Sequence, residues 1–142
     1  MPTFKKGRYV GTQKMKWIEF VLLAIGAVVG AYLRYRIVES PITIGTLPIN
    51  VLIVNVVGSF ALGIFSVVSL IFNLDSKYTL LVAVGFCGSF TTMSSFELET
   101  INLVDNNRLG LALLNMTANV GLSFIAVISG RLLGYAIMEK IL

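Results

Sequence analysis

The sequence predicts an all-α integral membrane protein with four transmembrane helices, and three observations carry that fold class. The 142 residues are 56% hydrophobic and only 13% charged, about half the ~25% charge of a soluble domain. Mean hydropathy is +0.89. The charged residues leave four long gaps: 14 uncharged residues between Glu19 and Arg34, 35 between Glu39 and Asp75, 19 between Lys77 and Glu97, and 22 between Arg108 and Arg131. Four spans of roughly 20 residues need about 80 residues, which the chain supplies. This composition does not build a water-soluble enzyme or a nucleic-acid-binding module.

The gaps place helices near 17–38, 47–72, 78–104 and 109–138. Residues 1–16 read as a basic N-terminal tail and residues 17–142 as one transmembrane domain. Trp17, Tyr32, Tyr35, Tyr78 and Tyr135 fall near the expected helix ends, where interfacial aromatic belts sit. The first apolar run ends in Arg34-Tyr35-Arg36 without a small-x-small cleavage site, so it is expected to be an uncleaved span. The linkers are short, from Glu39 to Thr46 with Pro41, from Asn73 to Lys77 and from Asp105 to Arg108. Lys5, Lys6, Arg8, Lys14, Lys16, Lys77 and Lys140 share one side, against Arg34, Arg36 and Arg108 on the other. Seven against three favours a cytoplasmic N-terminus. The basic tail suits the membrane interface, and no nucleic-acid partner is expected.

Composition removes several kinds of chemistry. With no histidine, imidazole catalysis and imidazole metal sites are out. The single cysteine, Cys87, can form no intrachain disulfide and suits a small buried hydrophobe. No nucleophile–base pair is visible, so an enzyme is not expected.

The third span is the anomaly. Gly85-Phe86-Cys87-Gly88-Ser89-Phe90-Thr91-Thr92-Met93-Ser94-Ser95-Phe96 carries two glycines and five hydroxyl residues, with Glu97 and Glu99 close behind. Such polar groups cost free energy against lipid, and irregular backbone at membrane depth is tolerated only inside protein or beside water. The sequence therefore predicts a helix broken around Gly88 to Thr91, freeing carbonyls on one side and N–H groups on the other. After the break, Thr92, Ser95, Glu99 and Asn102 form a polar stripe beside Met93 and Phe96. Asn55 lies inside the longest uncharged gap, and Asn115 and Asn119 are four apart in the last span. Freed carbonyls and Glu99 would suit a cation; amide, hydroxyl and N–H donors with aromatic ring edges would suit an anion. The residues alone leave both open. Gly26-x-x-x-Gly30 and Gly130-x-x-x-Gly134 are expected to serve close helix packing.

Three blocks in order now decide between these. Gly26-Ala27-Val28-Val29-Gly30-Ala31-Tyr32-Leu33-Arg34-Tyr35, then Gly45-Thr46-Leu47-Pro48-Ile49-Asn50-Val51 through Asn55-Val56-Val57-Gly58-Ser59-Phe60, then Gly85 through Thr100, resemble the Fluc (CrcB) family of fluoride channels over residues 20 to 138. The resemblance implies four-helix subunits paired as antiparallel, dual-topology dimers in the cell (inner or plasma) membrane. It implies two fluoride pores at the dimer interface and a structural sodium ion that is not transported. By this resemblance Asn55 is the pore asparagine, and Phe96 is the second of two pore phenylalanines. Gly88 and Thr91 supply the sodium-binding carbonyls. Ser95 and Glu99 form the polar track, and Arg34 ends the first helix. The chain would then let cytoplasmic fluoride leave down its gradient, and Asn55→Ala is expected to reduce flux with little loss of folding.

The chain departs from the family at Met93, where the first phenylalanine stands, and at Asn115 and Asn119, where tyrosine and serine are frequent. These departures and the charge bias raise a heterodimer with a homologous subunit as an alternative to a homodimer. Two other functions stand beside the channel. One is a small four-helix multidrug-type transporter, which wants a carboxylate deep in the first span. The other is a non-conducting partner subunit of a heterodimeric fluoride channel.

Overall fold

The computed structural model describes residues 15–40, 42–45 and 47–141. The expected basic tail lies almost wholly outside them, as do Lys5, Lys6, Arg8 and Lys14 of the charge argument; only Met15 and Lys16 are described. Four helices are long and apolar enough to cross a membrane: Trp17–Glu39, Asn50–Ile71, Ser76–Asp105 and Leu109–Ile141. All four expected spans are present, within about three residues at each end.

Helix α1 (Trp17–Glu39) starts where Glu19 turns back to accept the Lys16 N–H at 2.8 Å, satisfying one of the donors that a helix N-terminus leaves open. Its 23 residues reach roughly 35 Å, enough for a ~30 Å hydrocarbon core. The second helix, α2 (Asn50–Ile71), begins three residues later than the charge gap suggests. Leu47–Pro48 (β2) instead pairs antiparallel with Thr43–Ile44 (β1) around Gly45, whose φ of +61° favours a residue without Cβ. Asn50 ties this connection down. Its Oδ1 accepts the Ile42 N–H at 3.0 Å, and its Nδ2 donates to the Ile37 and Ser40 carbonyls.

The third span is composite: α3 (Ser76–Thr79), a π-helix (Leu80–Cys87), α4 (Gly88–Phe90), an extended step and α5 (Met93–Asp105). The last helix, α6 (Leu109–Ile141), has 33 residues, or about 50 Å, more than a bilayer core needs without tilt or overhang. Asn73 and Asn107 take positive φ in the two short connections, a conformation asparagine tolerates better than most residues.

Two glycine seams hold the bundle. The buried residues of α1 are Gly26 and Gly30. A Cβ at either would run into backbone of the third span, and one at Gly85 would come within 2.7 Å of the Leu23 carbonyl. On the other side, Gly63 of α2 faces the Val127 carbonyl and Gly130 of α6 faces the Phe60 carbonyl with no room for a methyl. Lipid supplies little hydrophobic drive between helices, so close backbone approach of this kind carries the packing. Both GxxxG motifs thus serve the packing expected of them.

Candidate functional site

The break lies at Thr91 and Thr92, both extended, at φ −77°, ψ 156° and φ −150°, ψ 119°. It therefore falls at the C-terminal edge of the expected segment, with Gly88 still helical in φ and ψ. The threonines close both helix ends. Thr91 donates its N–H and its hydroxyl to the Cys87 carbonyl, each at 3.0 Å. Thr92 Oγ1 accepts the Ser95 N–H at 3.2 Å as the N-cap of α5, a role in which threonine is favoured, and donates to Ser95 Oγ at 3.0 Å.

Asn55 splices the interrupted backbone from the neighbouring helix. Its Oδ1 accepts the Thr92 N–H at 2.8 Å, and its Nδ2 donates to the Thr92 carbonyl at 3.1 Å. The second Nδ2 proton goes to Asn119 Oδ1 at 3.0 Å. Asn119 donates in turn to Asn115 Oδ1 at 2.9 Å, and Asn115 to Thr100 Oγ1 at 3.1 Å. Asn55, Asn115 and Asn119 thus form one hydrogen-bonded network.

That network borders a groove of about 360 Å³, whose wall includes Asn55, Asn119, Met93, Phe96, Gly88 and Thr91. Phe96 is buried, while Met93 is 63% exposed. Asn115 is only 1% exposed and stands behind the wall. A second groove, about 390 Å³, is lined by Arg34, Tyr35, Glu39, Thr92, Ser94 and Ser95. Arg34 has no carboxylate within 4.0 Å among the described residues. Thr92 belongs to both grooves, so the break residue stands between them. Glu99 lines neither groove, and its Oε2 is buried without a hydrogen bond.

The carbonyls of Gly88 and Thr91 receive no hydrogen bond across the break among the described residues. Uncharged carbonyl oxygens suit a hard cation of low charge, and no cluster of three His, Cys, Asp or Glu side chains competes for a metal among the described residues.

Two polar groups escape the sequence reading. Ser123 lines the first groove with a buried Oγ that has no partner. The signal was available, since Ser123 follows Asn115 and Asn119 at four-residue spacing on one face of α6. Thr100 joins the network from behind; nothing in its local sequence points inward.

Residues 21–131 match the family model described as CrcB-like protein, Camphor Resistance (CrcB). A protein of Nitrosopumilus maritimus named fluoride-specific ion channel FluC is 57% identical over 126 residues, covering 89% of this chain and 100% of the relative. Proteins of the same name from a Sulfurihydrogenibium species and from Methanocaldococcus jannaschii are 46% and 42% identical. These cover 81% and 85% of this chain and 95% and 98% of the relatives.

Proposed function

The chain belongs to the CrcB family of membrane proteins, and on that premise we propose that it is a passive fluoride-selective channel that lets cytoplasmic fluoride leave down its gradient. It is a multi-pass membrane protein. Its relatives are named as ion channels, and it is not an enzyme. The observation that carries the proposal is the groove beside the broken helix, where two carboxamides and the Phe96 ring share one wall.

Fluoride gives up its water only to donors already in place. Asn55 and Ser123 supply amide and hydroxyl donors along the first groove, Asn119 turns its oxygen to Asn55 and its nitrogen to Asn115, and the edge of an aromatic ring is electropositive. Both Asn55 protons are engaged within the chain. An ion taking one of them does so in exchange for the Thr92 carbonyl or for Asn119 Oδ1, which keeps binding shallow enough for release. Arg34 in the second groove attracts an anion toward Thr92 and Ser95, and Glu99 follows one turn further along the polar track.

The working unit is a dimer with pores at its interface. Gly88 and Thr91 offer two carbonyls to a structural sodium ion, a partial shell that a second subunit completes. Sodium would supply fixed positive charge at the subunit contact; the chain's own part is to hold those carbonyls free of internal hydrogen bonds.

A non-conducting partner subunit is the second reading, favoured by Met93, an exposed thioether on the groove wall where a ring edge is expected. The multidrug-type transporter loses its support, because Glu19 is engaged at the end of α1 rather than deep within it.

Fluoride efflux from liposomes containing this chain alone, with chloride for comparison, tests the proposal. Rapid fluoride-selective efflux is expected and would establish that a homodimer bearing Met93 conducts. Silence from well-folded protein, cured by a co-expressed homologue, would establish the heterodimer. Movement of cationic dyes or protons instead would overturn the channel reading.

A further inference from the structure

Four polar side chains, two in the wall of the first groove and two behind it, form a relay with a direction. Thr100 is the end from which that direction is set. Its hydroxyl proton is committed to the Phe96 carbonyl one turn back, at 2.8 Å. A hydroxyl with its proton engaged can only accept, so the amide nitrogen of Asn115 must face it, at 3.1 Å. That leaves Asn115 Oδ1 toward Asn119, which must present its own nitrogen, at 2.9 Å. Asn119 Oδ1 is then fixed toward Asn55 Nδ2, at 3.0 Å. The far end agrees independently. The Thr92 N–H is purely a donor and requires Asn55 Oδ1, which it meets at 2.8 Å. Every carboxamide is held in one orientation from both ends, with no satisfied alternative after a flip.

Thr100 and Asn115 are buried and line neither groove, whereas Asn119 and Asn55 form the wall of the first. We propose that Thr100, acting through Asn115, is a positioning residue that fixes which atoms of Asn119 and Asn55 the permeating anion meets. Resting on the channel reading above, this adds a residue outside the groove as a determinant of anion recognition inside it. Losing the Thr100 hydroxyl leaves the Asn115 nitrogen without its buried acceptor, and rotation of that amide to find another partner turns it against the Asn119 nitrogen, which then keeps only its bond to the Asn115 main-chain carbonyl, at 3.1 Å. With one bond in place of two, the Asn119 carboxamide tilts, and its oxygen no longer meets Asn55 Nδ2 at a fixed place.

The test uses the full chain in liposomes and two readouts. Thr100→Val keeps the branched shape and removes the hydroxyl; Thr100→Ser keeps the hydroxyl. Fluoride efflux is expected to fall roughly fivefold to tenfold in T100V, on the scale of one buried hydrogen bond, and to stay within about twofold of wild type in T100S. Adding T100V to Asn119→Ala should cause no further loss. Efflux in T100V equal to wild type, or losses that multiply in the double variant, would overturn the proposal. T100A replaces T100V if the valine variant does not fold.

Side-chain amide NMR of protein labelled with ¹⁵N-asparagine supplies the second readout. The resonances of Asn55 and Asn119 should move in T100V and return in T100S; unmoved resonances would sink the relay. Should the wild-type chain pass no fluoride, the channel reading fails by itself, and the amide spectra still decide whether Thr100 orients the carboxamides.

Discussion

The α2–α6 contact and the break in the third span solve the same problem in opposite ways. Between α2 and α6, two regular helices approach until Gly63 and Gly130 meet carbonyls of the other helix, and backbone contact does the holding. At the break the backbone comes apart, and side chains restore its hydrogen bonds: Asn55 from α2 across to Thr92, with Asn119 and Asn115 of α6 and Thr100 of α5 relayed behind it. A seam that leaves no room for side chains gives rigidity, and a gap that side chains fill gives polar surface. The first lets the second exist in a membrane, because α2 and α6 carry the asparagines and must be fixed before a carboxamide can reach Thr92.

That contrast breaks most severely at the seam. Gly130→Val drives a side chain into the Phe60 carbonyl. Overpacking ordinarily costs about 1–3 kcal/mol, and a clash with helix backbone belongs at or above the top of that range. Loss of a monodisperse peak in gel filtration is expected. Normal yield and elution would show that the helices can slide apart.

Asn55→Ala is next, and here the structure corrects the expectation of little effect on folding. The substitution strands the Thr92 N–H and carbonyl and the Asn119 oxygen, and an unsatisfied buried polar group costs roughly 1–3 kcal/mol. Fluoride efflux should fall and thermal stability should fall with it. Loss of efflux at unchanged stability would restore the simpler view of Asn55 as a donor to the ion alone.

Met93→Phe separates recognition from packing. Met93 is 63% exposed, so stability should change by no more than about 0.5 kcal/mol. Fluoride efflux should rise as a ring edge joins the groove wall. Unchanged efflux would mean that Phe96 suffices.

The smallest effect lies outside the membrane. Asp75 caps the third span by accepting the Lys77 N–H at 3.0 Å, and that bond, with nearby Lys77 charge and Ser76, holds its carboxyl below the usual carboxylate value despite a smaller opposing desolvation effect. A carboxylate with a lowered folded pKa stabilises above its unfolded pKa, and the contribution disappears as pH falls through the folded one. Amide exchange at Lys77 should therefore quicken on acidification, and Asp75→Asn should remove that pH dependence. Equal pH dependence in the variant would assign it elsewhere.

Some of this was legible without coordinates. Charge-free gaps locate spans because a charge in hydrocarbon is costly wherever the chain folds, so all four helices follow from residue order. Gly88 to Thr91 announces a break for the same reason, since hydroxyls and glycines at that depth make a poor lipid-facing helix. The β1–β2 pair shortening α2 was not legible; two-residue strands have no periodicity to detect, and the bond that closes the turn joins Asn50 to Ile42, eight residues back. The eight-residue π-helix before the break was missed because Leu80–Cys87 is uniformly apolar apart from its glycine and cysteine.

The sequence by itself determined the solvent, the number of crossings and the segment that must come apart, because each rests on the transfer of single residues between water and lipid. Only the tertiary structure decided what Asn55, Asn119, Asn115 and Thr100 do. A carboxamide can donate or accept with equal ease, and which it does depends on partners 37, 64 and 15 residues away, brought within 3 Å or so only when α2, α5 and α6 are packed.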